Sequence, residues 1–84
     1  MTNEEIKAFA VRIYHLTGKI QNKLNCLMRM ASAIDDEWTD YDDSALDLIQ
    51  IMTFLDKLYI SMDQGESPSR ADIIKVNSYE VMFL

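Results

Sequence analysis

Cysteine, proline and glycine are nearly absent from this sequence: one, one and two among 84 residues. A lone cysteine makes no internal disulfide, so the fold is expected to stand on its apolar core, and the chain suits a reducing compartment. With so few helix breakers, most of the chain is free to enter regular structure. Basic charge is scarce as well, with eight Lys and Arg against fourteen Asp and Glu, a net charge of −6 and a pI near 4.5. This balance argues against direct nucleic-acid binding, which neutralises phosphates with Lys and Arg, and against an anionic membrane surface. Long apolar runs are missing too. The longest uncharged stretch, Leu48 to Leu55, has eight residues, far short of the roughly 20 that a membrane-spanning helix needs. Met-Thr-Asn-Glu-Glu opens the chain with acid where a secretory signal has a basic start and an apolar run, so a cytoplasmic protein is expected.

What is present is 49% hydrophobic residues, set at helical spacing. Thr2-Asn3-Glu4-Glu5 fits a capping box, in which the Thr2 hydroxyl and the Glu5 carboxylate satisfy each other's backbone N–H groups. Apolar residues then follow in steps of three and four: Ile6, Phe9, Ile13, Leu16, Ile20, Leu24, Leu27, Ala31 and Ile34. They form a stripe roughly 80° wide, which predicts one long helix over about residues 3–34, with Gly18 as its weak point. Residues 35–43 lose the helical period and are rich in Asp and Thr, and so read as a loop. Ser44 and Asp47 then cap a second helix to about Asp63, closed by Gly65. That helix is apolar over more than half its circumference and therefore needs partners on more than one side. Ser67-Pro68 signals a short third helix to about Val76, and residues 77–84 read as an extended tail packed on the helices. No repeat or linker divides the chain. The sequence thus predicts a single all-α domain over residues 1–84, a small helical bundle with a long N-terminal helix packed against a second helix.

The charge is unevenly placed. Seven acids, Asp35, Asp36, Glu37, Asp40, Asp42, Asp43 and Asp47, fall between residues 35 and 47 with no base among them. The rest of the chain sums to +1. Residues 1–34 carry +3, and Arg12, Lys19 and Lys23 lie close together beside the helix 1 seam, where they could face acids of a neighbouring helix. The plain reading of the acidic run is a solvated connection that serves solubility. A sharper one rests on Trp38 and Tyr41, since aromatic anchors ringed by charge have the composition of an interface hot spot. Against it stands the alternative that Trp38 folds back over the core as a lid.

The same residues offer little chemistry. An EF-hand register from Asp40 has Ala45 where Gly is required and Ile51 where the bidentate Glu belongs, so no dedicated calcium site is expected. His15 and Cys26 have no neighbours at metal-ligand spacing and read as flanking the core. They stand about 16 Å apart along one helix, too far for a thiol–imidazole pair. Phosphate loops and nucleophile elbows are absent, and an exposed carboxylate has nothing to raise its pKa. Met28, Met30 and Met52 could form an adaptable face, although methionine at helical spacing more often fills a core. Neither catalysis nor a cofactor is expected.

Two functional classes follow. In the first, the protein is a small acidic interaction module. Residues Asp35, Asp36, Glu37, Trp38, Asp40, Tyr41, Asp42, Asp43 and Asp47 engage a basic protein, including one that handles nucleic acid, and block or regulate it. In the second, it is an assembly protein whose helices 1 and 2 pair through apolar faces with a second copy or another helical subunit, because a core of this size supplies only a few kcal/mol.

Overall fold

The computed structural model describes residues 2–33 and 39–84, with side chains over 2–29 and 45–84. Three helices make up the fold: α1 (Asn3–Ala33), α2 (Thr39–Asp63) and α3 (Arg70–Met82), with no strand among the described residues. The all-α reading is therefore correct.

α1 begins as the sequence dictates. The Thr2 N–H donates to Glu5 Oε1 and the Glu5 N–H to Thr2 Oγ1, each at 3.1 Å. These bonds, led by the one from the Thr2 backbone, hold the Glu5 carboxyl below its ordinary pKa. The helix runs through Gly18 without interruption. Its seam supplies Phe9, Ile13, Leu16 and Ile20 to the buried core, with Ile6, Leu24 and Leu27 half-buried beside them.

α2 runs back along α1 and buries Leu48, Leu55, Leu58 and Met62 against that seam. Each such side chain contributes about 1.5–3 kcal/mol when fully removed from water. The helix starts at Thr39 rather than at the expected Ser44. Asp and Thr are turn formers, but they are equally at home in the first turns of a helix, where the positive end of the dipole favours anions. The end of α2 is as expected. Gly65 adopts φ +94°, its N–H donates to the Met62 carbonyl at 3.0 Å, and the Glu66 N–H donates to the Ser61 carbonyl at 3.1 Å. This is a Schellman closure, which needs a left-handed residue at that point.

α3 corrects two expectations. Its cap is Ser69, not Ser67: the Ser69 side chain accepts from the Asp72 N–H while Asp72 accepts from the Ser69 N–H. The pairing of Ser with an acid three residues later outweighs the Ser67-Pro68 signal. The helix also continues to Met82, so residues 77–82 are helical where an extended tail was expected. Asn77 and Ser78 are accommodated within it: the Ser78 hydroxyl donates to the Ile74 carbonyl, and Asn77 Oδ1 accepts from Arg12.

α3 buries Val76 fully and Ile73 and Tyr79 partly, and its C-cap Phe83 is partly buried as well. It rests on the N-terminal part of α1 and the C-terminal half of α2, where Tyr79 meets Phe54 edge to face at 6.0 Å and Lys75 sits 4.3 Å over the Phe54 ring. At 1.5 Å per residue α3 is about 20 Å long against about 46 Å for α1. The molecule is elongated, 50 × 22 × 17 Å.

Candidate functional site

The acidic residues singled out from the sequence meet three outcomes. Asp35, Asp36, Glu37 and Trp38 lie outside the described residues, and with them the expectation that Trp38 acts as a lid. Asp40, Tyr41, Asp42 and Asp43 belong to the first turns of α2 instead of a loop. Asp47 is exposed one turn further along. The connection between α1 and α2 is therefore shorter than expected, and the carboxylates of α2 begin a helix, whose N-terminal dipole favours negative charge.

The basic cluster on α1 is divided. Arg12 faces α3, where its guanidinium donates to both carboxylate oxygens of Glu80 and, at 2.6 Å, to Asn77 Oδ1. It also lies 5.4 Å from the centre of the Phe9 ring. The Arg12 hydrogen bonds, followed by the charges of Arg12 and Lys19, hold the Glu80 carboxyl below its ordinary value, and the same pair raises Arg12. Arg12 thus clamps α3 to α1. Lys19 lies on the same side of α1 and Lys23 is exposed one turn further on.

On the opposite side of α1 from Arg12, by the 100° per residue of a helix, the α1–α2 pair presents an open groove. Three overlapping hollows make it up. Ile6, Ala10 and Met62 line one end; Ile13, Tyr14 and Leu55 the middle; Leu24, Ile49 and Met52 the other end. Thr17, Asp56 and Tyr59 are shared between neighbouring hollows. From Ile6 to Leu24 the groove is about 27 Å long. Its surface is apolar, with Tyr14 71% exposed and Ile49 and Tyr59 close to half exposed. The Thr17 and Thr53 hydroxyls donate to the Ile13 and Ile49 carbonyls of their own helices. Those two donors are committed within the fold.

Charge on the groove sits at its edges. Asp56 and Asp63 stand along the α2 rim and Lys7 on the α1 rim. Among the described residues the one ion pair is Arg12–Glu80, so none of these three is neutralised there. Sequence reasoning did not find the groove. The signal was present in the excess apolar surface of the second helix, but which flank would remain open depended on where α3 docks.

The remaining candidates are surface groups. His15 is exposed and meets Tyr14 edge-on at 6.0 Å, and Cys26 is a free, exposed thiol. Both were expected to flank the core, and both are exposed on α1. Met28 is exposed and Met52 half-buried on the groove. Among the described residues no group of three or more His, Cys, Asp and Glu could hold a metal ion, and no helix is long and apolar enough to cross a membrane.

No protein-family model matches the chain, and neither the curated proteins nor the solved structures give a significant match.

Proposed function

We propose that this protein is an acidic interaction module that binds a basic protein and blocks or regulates it. The observation that carries the reading is the confinement of charge: residues 35–47 hold seven acids and no base, while the rest of the chain is nearly balanced. Charge concentrated in this way accelerates encounter with a basic surface, and Trp38 and Tyr41 within the same run offer anchoring area once contact is made. The helical start of α2 supports this reading, since Asp40, Asp42, Asp43 and Asp47 then belong to one helix.

Affinity capture from native cell extract tests it. The wild type is compared with a variant carrying Asp36→Asn, Asp40→Asn, Asp42→Asn and Asp43→Asn, in low and high salt. A basic protein retained by the wild type and lost on neutralisation or at high salt is the expected result. Identical capture by both proteins in both salts would reduce the acidic run to a solubility feature.

A further inference from the structure

We infer that the α1–α2 groove is a docking site for one amphipathic helix of a protein partner, about 18 residues long, with Lys or Arg along one flank of its apolar face. This rests on the reading that the protein binds a basic partner, and names the part of the partner that docks. Dimensions come first. A groove about 27 Å long matches about 18 helical residues, and its apolar surface suits a helix that presents anchors at i, i+3 or i+4, and i+7.

Charge then selects the occupant. Asp56 and Asp63 on the α2 rim are seven residues apart, which is two helical turns, and neither makes an ion pair among the described residues. A docked helix with cations at i and i+7 on that flank places one opposite each carboxylate. Beyond the Leu24–Ile49 end, the acids of the first turns of α2 continue the same sign; at the other end Lys7 shares its hollow with Asp63. A second copy of this chain fits less well. Arg12 and Lys19 have the required spacing, but Arg12 is already held by Glu80.

Two synthetic 18-residue helices with the same leucine face, one with Lys and one with Glu at the flanking i and i+7 positions, are titrated into the full isotopically labelled chain. In the expected result the Lys peptide saturably shifts the amide signals of Thr17, Ile49, Thr53 and Tyr59, and the Glu peptide does not. Asp56→Asn with Asp63→Asn should weaken the Lys peptide roughly three- to ten-fold, because each exposed pair contributes modestly. Both sites are exposed, so the variants keep their helicity. Equal binding of the two peptides, shifts confined to residues 39–47 or to α3, no saturable shift, or the same groove signals moving on dilution of the protein alone would each overturn the assignment, the last in favour of a second copy. The variant neutralised at Asp36, Asp40, Asp42 and Asp43 separates the two claims. If it still binds the Lys peptide in the groove while losing its captured partner, both stand; capture lost by this variant alongside a silent groove sinks only the docking site.

Discussion

Val76→Ala measures how α3 is held. Val76 is fully buried and is the one buried residue of α3, so its two methyl groups are the helix's deepest contribution to the shared core. Removing two buried carbons costs about 1.6 kcal/mol in transfer free energy, and the space left behind raises the cost to about 2–3 kcal/mol. A chain of 84 residues has a total stability of roughly 4–13 kcal/mol, so a single truncation consumes a large share. Val81→Ala is the control. Val81 is 68% exposed on the same helix, so the two substitutions change helix propensity alike, and the control is expected to stay within about 0.5 kcal/mol of wild type. Guanidinium unfolding followed by far-UV circular dichroism gives both values. Hydrogen exchange adds the local view: amides of residues 70–82 should open more readily in Val76→Ala, while those of α1 and α2 keep most of their protection. Equal effects of the two substitutions would refute the reasoning, since α3 would not then be anchored through Val76.

The Arg12–Glu80 pair should contribute only about 0.5–1 kcal/mol at neutral pH, because its side chains are 46% and 30% exposed. Glu80 has a depressed pKa in the folded state, so that contribution is present above the unfolded-state value and is lost as pH falls through the folded one. A double-mutant cycle with Arg12→Leu and Glu80→Gln should therefore show coupling at pH 7 and none in strong acid; coupling that survives acid would contradict the pairing. The two glycines should respond with opposite signs. Gly18 is mid-helix with open space where a Cβ would stand, so Gly18→Ala should stabilise by about 1 kcal/mol. Gly65 has φ +94°, so Gly65→Ala should destabilise by about 1–2 kcal/mol. Thermal melts resolve this, as 1 kcal/mol moves the midpoint by about 4–8 °C in a domain of this size, and shifts of one sign would be wrong.

How far the sequence reveals the molecule depends on how much of each signal is local. α1 was legible because a capping box and nine apolar positions in steps of three and four agree with one another. Gly65 was legible because a helix end with a left-handed residue needs little else. The start of α2 was not, since Asp and Thr serve both turns and helix N-termini, and the apolar period that separates the two cases begins only later. α3 was half legible. Two serines compete for its cap, and the choice turns on Asp72. Within that continuation Asn77 is bonded by Arg12, 65 residues away in the chain, a partner that no local pattern names. The groove and the Arg12–Glu80 clamp are tertiary facts of the same kind, in which the docking of one short helix decides which flank of a longer pair stays open.

The length of α1 also governs how the molecule tumbles. With one dimension of 50 Å and two near 20 Å, rotation about the long axis is faster than rotation end over end. Amide N–H bonds in a helix lie nearly along its axis, so those of α1 and α2 feel mainly the slower, end-over-end motion. Their relaxation therefore reports an apparent size larger than the mass alone implies. Anything laid along the side of the rod thickens it and makes rotation more uniform, whereas a body joined at its tip lengthens it and slows the same amides further. The shape alone thus distinguishes the two modes of association, before any residue is assigned.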